Sequence, residues 1–170
     1  MIVKEGPASH SPFKLESLLT RLQSIDENIT GLGARFIHLI DSKEELNQKQ
    51  DEVLESILEY GPNWPFGIND GFKIFILPRF GTTSPWSSKA TDIAKVCGLV
   101  SINKIERGIA FTLALNDKDL IPSREAIELL YDRMTEVFIT DLRQAKEMFS
   151  SLKPKPFSEI DILSDDKTAL

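Results

Sequence analysis

Cysteine is almost absent from this chain: Cys97 is the only one in 170 residues. A single thiol excludes an intramolecular disulfide and a cysteine-built zinc site. Histidine is nearly as scarce. His10 and His38 are far apart from each other and from Cys97 in sequence, so no histidine stands next to the thiol in the chain. Cys97 lies in KVCGL near a helix end, where a small buried thiol is expected. His38 lies in an apolar stretch and reads as a hydrogen-bonded structural residue. Long apolar runs are missing too, and none approaches the length of a membrane span. The start, MIVKEGPASHSPF, lacks the apolar core of a signal peptide. Basic charge is in deficit, with 20 Lys and Arg against 26 Asp and Glu and a net charge of −6. That balance argues against nucleic-acid and anionic-lipid partners, whose phosphates call for a basic face. No phosphate loop is present, and GLGA at 31–34 lacks the further glycines of a dinucleotide fingerprint. A reducing cytoplasm is the expected location.

What is there suits one domain plus a tail. Apolar residues make up 41% and charged residues 27%, enough for a core and a hydrated surface. A β-prone start at 1–3 is broken at Gly6-Pro7. Ser11-Pro12 predicts a helix start with serine as cap, and Leu15, Leu18, Leu19, Leu22 and Ile25 follow at helical spacing. Residues 31–41 read as a buried strand. Ser42 and Glu45 suggest a capping box for a second helix running to about Tyr60. A loop occupies 61–70, a strand 72–77, and a loop 78–85. A short helix over 87–96 is capped by Ser87 or Ser88 and ended by Gly98. Strands at 100–106 and 109–115 flank Gly108 as an antiparallel pair. Pro122 opens a third long helix. Residues 134–149 fit either a strand at Val137–Ile139 or a continuing helix. From Ser150 the Lys, Pro, Ser and Asp content predicts an exposed connector, with Pro154 and Pro156 opposing a helix. Interspersed helices and strands with short connections predict an α+β fold, a two-layer sandwich of antiparallel strands with helices on one face. No repeat is visible in the residues.

The most informative segment is ILPRFGTTSPWSSKATDIAKVCGL, residues 76–99. Its hydroxyls, prolines and tryptophan lie between a strand and a helix. One reading is a well-capped helix anchored by a buried Trp86. The other is a helix start that, with Lys89, holds an anion. Glu106-Arg107-Gly108 reads as a charged hairpin turn or as the site of an interdomain salt bridge. No magnesium-carboxylate cluster is evident.

This segment resembles the signature of the large, single-chain phosphoribosylformylglycinamidine synthases (formylglycinamide ribonucleotide amidotransferases). Their pattern runs PRPGTISPWSSKATDI, then CGL, then ERG. Here the matches are Pro78, Arg79, Gly81, Thr82, Ser84 to Ile93, Cys97 to Leu99 and Glu106 to Gly108, with ten consecutive identities through SPWSSKATDI. Phe80 stands where the family has proline, and Thr83 where it has isoleucine. LLTRLQ at 18–23, ILEYGP at 57–62, DRMTEVF at 132–138 and the closing IDIL…AL extend the likeness along the chain.

The resemblance implies the N-terminal domain of an enzyme of de novo purine biosynthesis. Such an enzyme uses ATP, magnesium and glutamine-derived ammonia to convert formylglycinamide ribonucleotide to its amidine. It also implies a fold like a fused dimer of the small subunit of the multi-chain enzymes, with two similar halves meeting between Pro62 and Phe72. The synthetase and glutaminase domains of the same enzyme are the expected partners. The resemblance places no catalytic, cofactor or metal residue here, so neither glutamine hydrolysis nor ATP use is expected of this chain alone. Arg79, Ser84, Trp86, Ser87, Ser88, Lys89, Thr91, Asp92 and Arg107 are expected to contact the other domains. Residues 1–150 are expected to form the scaffold domain, and 151–170 the start of a connector to a further linker domain, as in a domain cut from a longer enzyme. Two rivals of other classes are a stand-alone binding or regulatory module using the same surface, and a small-ligand enzyme built on Ser87–Lys89.

Overall fold

Every strand pairing in the sheet is antiparallel, in the order β1-β2-β4-β3-β5. The computed structural model describes residues 1–62 and 64–150; the expected connector at 151–170 lies outside them. The strands are β1 (Ile2–Ala8), β2 (Ile29–Ser42), β3 (Phe72–Pro78), β4 (Ile102–Leu115) and β5 (Glu136–Ile139). The α-helices are α1 (Pro12–Gln23), α2 (Gln48–Leu58), α3 (Pro85–Val96) and α4 (Arg124–Glu128), and a 3-10 helix spans Leu142–Phe149.

Alternation along β2 and β4 divides the apolar residues between two faces. On one face, Leu32, Ala34, Ile74, Ile76, Phe111 and Leu113 meet Leu15 and Leu22 of α1 and Ala126 and Ile127 of α4. Further along, Ile40, Ile102 and Ile105 meet Leu54 and Leu58 of α2 and Ala90 and Ala94 of α3. The opposite face carries Ile37, Leu39, Phe75, Leu77 and Ala110, covered by Ala145 and Met148 of the 3-10 helix. The fold is the expected α+β sandwich, with the four α-helices on one face.

The two halves are related by a repeat that the residues conceal. β1 and β3 both have 7 residues, α1 and α3 both have 12, and β2 and β4 both have 14. Ser11 and Ser84 are the N-caps of α1 and α3, and each is followed by proline. The central ladder pairs Phe36 with Ile109. These two are also 73 residues apart, as Ser11 is from Ser84 and Ile29 from Ile102. Phe36 and Ile109 are thus both partners across the ladder and counterparts in the repeat, so the approximate two-fold axis passes between them.

Several local expectations require correction. Residues 102–115 form one long strand, not a hairpin. Gly108 is buried between Leu77, the Ile76 carbonyl and Ile37, and it serves close packing rather than a turn. Gly6-Pro7 produces a register shift between Glu5 and Ala8 without ending β1. Ser42 belongs to β2, and the capping box of α2 is Asn47 with Gln50. The helix after Pro122 has only five residues, Arg124–Glu128, capped by Ser123. At 134–149 the strand alternative holds as β5, and the helix does not continue: it ends at Glu128, and a separate 3-10 helix follows β5 at Leu142–Phe149. Cys97 is exposed rather than buried.

Candidate functional site: the signature loop and its aromatic seam

Ser84, not Ser87 or Ser88, caps α3. Its hydroxyl accepts the Ser87 N–H at 3.0 Å, and Pro85 occupies the first turn. The helix ends on Gly98, at φ +88°, with Gly98 N–H donating to the Lys95 carbonyl and Leu99 N–H to the Ala94 carbonyl. That reciprocal pattern fixes both the end of α3 and the departure of the chain.

Three signature residues turn inward. β3 follows β4 only as far as Ile76↔Ile109, leaving the edge of β4 near Ile105 without a strand neighbour. Side chains of α3 take its place. Ser87 donates to the Ile105 carbonyl at 2.6 Å, and Thr91 accepts the Ile105 N–H at 2.9 Å. Both side chains are buried. Ser84 donates at 2.6 Å to Glu106, whose carboxylate is wholly buried and also accepts the Arg107 N–H at 3.1 Å. Lys104 lies 3.5 Å from that carboxylate and donates to the Thr82 carbonyl at 2.9 Å. The loop is therefore tied down at Thr82 and Ser84 before the helix begins. Phe80, the departure from the family's proline, packs against the apolar cluster on the opposite face, while Thr83 is exposed.

Four other signature residues face solvent. Ser88, Lys89 and Asp92 are exposed along α3, and Arg79 is exposed at the loop's start, donating to the Met134 carbonyl at 3.2 Å. Lys89 makes no ion pair among the described residues. Ile93, Val96 and Val100 continue this surface, with Val96 88% exposed.

Trp86 and Arg107 belong to neither group. They meet over the sheet between the two helix pairs, in a seam with Phe36, His38 and Tyr60. Trp86 stacks on His38 with ring centroids 5.5 Å apart and planes inclined by 28°. The Arg107 guanidinium lies over Phe36 at 4.3 Å, Trp86 at 4.8 Å and Tyr60 at 5.8 Å. Tyr60 is bonded to His38 Nε2 at 2.8 Å and accepts from Arg107 at 3.4 Å.

His38 is wholly buried. Burial first, and the Arg107 charge second, push its pKa down to about 4, against a weaker upward pull from the Lys4 backbone. Among the described residues its Nδ1 has no partner of normal hydrogen-bond geometry. Burial also raises the Tyr60 pKa, and Arg107 opposes that shift. His38 is thus a structural residue of the seam.

Composition and spacing could not have revealed Phe36 or Tyr60 as members of this group. Phe36 sits in an apolar strand and Tyr60 at the end of a helix, and only the fold brings them to Arg107. Ser11-Pro12-Phe13 is the structural counterpart of Ser84-Pro85-Trp86, a match too short to disclose the repeat in the sequence. Phe13 is 81% exposed, whereas Trp86 is drawn into the seam.

Among the described residues there is no group of three or more His, Cys, Asp and Glu placed to hold a metal ion, and no helix long and apolar enough to cross a membrane. A family model described as Formylglycinamide ribonucleotide amidotransferase N-terminal matches residues 35–149. That range contains the signature loop, α3, the seam and the whole of β4.

Proposed function

The chain belongs to the formylglycinamide ribonucleotide amidotransferase N-terminal family, and on that premise we propose that it is the non-catalytic assembly domain of a phosphoribosylformylglycinamidine synthase. Its role is to hold the synthetase and glutaminase domains so that glutamine-derived ammonia is used for ATP-dependent amidation of formylglycinamide ribonucleotide. ATP and magnesium belong to the synthetase domain, not to this chain. The working location is the cytoplasm.

The observation that carries this reading is the division within one signature. Ser84, Ser87 and Thr91 lock the loop and helix to the sheet edge. That locking presents Arg79, Ser88, Lys89 and Asp92 outward on a rigid support. A loop needing only a turn and a cap has no use for this second set. Exposed polar residues beside Ile93, Val96 and Val100 have the mixed chemistry of a protein interface.

The test is complementation. Synthetase and glutaminase domains prepared without residues 1–170 are assayed for glutamine-dependent amidine formation with and without this chain. Restored activity is expected on mixing, together with a stable complex in size-exclusion chromatography. No complex and no restoration would sink the proposal. Glutamine hydrolysis or ATP consumption by the chain alone would instead favour an independent enzyme.

A further inference from the structure

Arg107 is the charged residue of the seam, and the fold leaves most of its donors without a side-chain acceptor among the described residues. A guanidinium carries five donors in a planar fork suited to an oxyanion pair. The fold supplies one side-chain acceptor, the Tyr60 hydroxyl, at a long 3.4 Å. Neither nearby carboxylate serves. Glu106 is the next residue on β4 and points to the opposite face, where Ser84 and Lys104 hold it. Glu136 shares the adjoining cavity, but its carboxylate accepts the Asp132 N–H at 2.9 Å. Arg107 forms no salt bridge among the described residues. Even so its head is held in place by three aromatic rings, so its orientation is set before any acceptor arrives.

Beside it lies a cavity of about 220 Å³, lined by Ile76, Pro78, Pro85, Trp86 and Ile109 among others. We infer that this cavity is a receptor for one carboxylate side chain, an Asp or Glu presented by the synthetase or glutaminase part of the same enzyme and paired with Arg107. The inference rests on the proposed coupling role and names the chemistry of the contact.

A polypeptide carboxylate fits better than a phosphate. Among the described residues Arg107 is the only cation lining the cavity, and Glu136 sits at its wall. A dianion would face that carboxylate with one positive partner, whereas a single planar carboxylate matches the fork one to one. The apolar prolines and isoleucines suit the methylene stem of an acidic side chain. Low surrounding polarity strengthens the pair once water is displaced.

The test uses Arg107→Lys in this chain, assembled with the synthetase and glutaminase domains and treated with a water-soluble carbodiimide. This reagent joins an amine to a carboxylate only when they touch. Mass spectrometry should find a new amide bond from position 107 to an Asp or Glu outside residues 1–170, absent from the unsubstituted assembly. A link confined to Glu136 or another acid of this chain, or no link at all, overturns the inference. Butanedione labelling of the unsubstituted Arg107 provides a second measurement should the variant fold poorly. Labelling should be several-fold slower in the assembly than in the free chain, and equal rates would count against the pairing. If complementation succeeds while both probes are negative, the carboxylate receptor is wrong and the coupling role stands. If complementation itself fails, the coupling role is lost.

Discussion

The Ile105 N–H donates to the Thr91 hydroxyl at 2.9 Å, in the position a neighbouring strand's carbonyl would occupy. Ser87 completes the substitution by donating to the Ile105 carbonyl at 2.6 Å. A sheet edge that would otherwise present unpaired backbone groups is closed by two side chains of a helix. Thr91→Val keeps the shape and removes the acceptor, leaving a buried N–H without a partner. It should cost about 1–3 kcal/mol of folding stability, and Ser87→Ala a comparable amount. Urea unfolding of the purified chain reads this directly. Midpoints unchanged in both variants would show that the edge is satisfied in some other way.

Glu106 joins the loop to the strand at a single buried carboxylate. Glu106→Leu removes the acceptor of Ser84 Oγ and of the Arg107 N–H, and leaves Lys104 without its anion. A loss of about 2–4 kcal/mol is expected, since the partners are left behind. Glu106→Gln retains one carbonyl oxygen for the Ser84 hydroxyl and should lose less. Chemical denaturation of the two variants side by side gives the ordering. A larger loss for glutamine than for leucine would contradict the hydrogen-bonding account.

The buried histidine predicts a pH dependence whose sign is fixed. In the folded chain the pKa of His38 is depressed to about 4 from an ordinary 6.5. As pH falls below 6.5 the unfolded chain takes up the proton first, so stability declines between about pH 6.5 and pH 4 and is fully present above that window. His10, also held to about 4 by burial, acts in the same direction. Between pH 7.5 and pH 5 each should contribute a decline on the order of 1–2 kcal/mol. Denaturation midpoints across that range should fall less steeply in His38→Gln than in the unsubstituted chain. Equal slopes would mean that His38 does not carry the effect.

The antiparallel sheet and the helix start at Pro12 follow from signals a reader can see, serine before proline and then apolar spacing of helical or strand period, whereas at Pro85 the further serines at 87 and 88 drew the expected cap past Ser84. The errors arose where a residue has two uses. Gly108 reads as a turn between charged neighbours. In the fold it is the place where Leu77 and the Ile76 carbonyl press against β4, and no local pattern distinguishes those roles. Ser42 and Glu45 satisfy the spacing of a capping box, but Asn47 and Gln50 do so five residues later and win because β2 runs on to Ser42. Within the signature, the hydroxyls look alike in sequence. Position on the helix decides their fate, since Ser87 and Thr91 lie four apart on the face toward β4, with Ser88 and Asp92 one residue round. The seam was illegible because its five members come from four separate stretches of the chain.

Gly33 tests the opposite edge. Here the Phe66 carbonyl accepts the Ala34 N–H at 2.9 Å, and the Ile68 carbonyl lies where a β-carbon on Gly33 would sit. The obstacle is backbone, so it cannot rotate aside. Gly33→Ala should displace the 66–68 segment and cost more than about 2 kcal/mol, against the slight gain that alanine usually brings to a strand. A melting temperature at or above that of the unsubstituted chain would show that the segment can move away freely.

The surface set remains, and its prediction separates stability from coupling. Lys89 and Ser88 are exposed on α3. Lys89 has no ion pair among the described residues, and Ser88 makes only a 3.5 Å contact to the Ser84 carbonyl. Removing either side chain should change the stability of this chain by no more than about 0.5 kcal/mol, as for surface positions without special contacts. On the proposed coupling role, the same changes in the assembled enzyme should reduce amidine formed per glutamine consumed, because a loosened interface would let ammonia escape before it reacts. Lys89→Ala should have the larger effect, since it removes a charge, and Lys89→Arg should restore part of the loss. Two measurements on each variant decide the matter: thermal unfolding of the chain alone, and the ratio of glutamate to amidine produced by the assembly. A variant that unfolds the chain is reporting on the fold. One that leaves both the fold and the product ratio unchanged removes that residue from the interface.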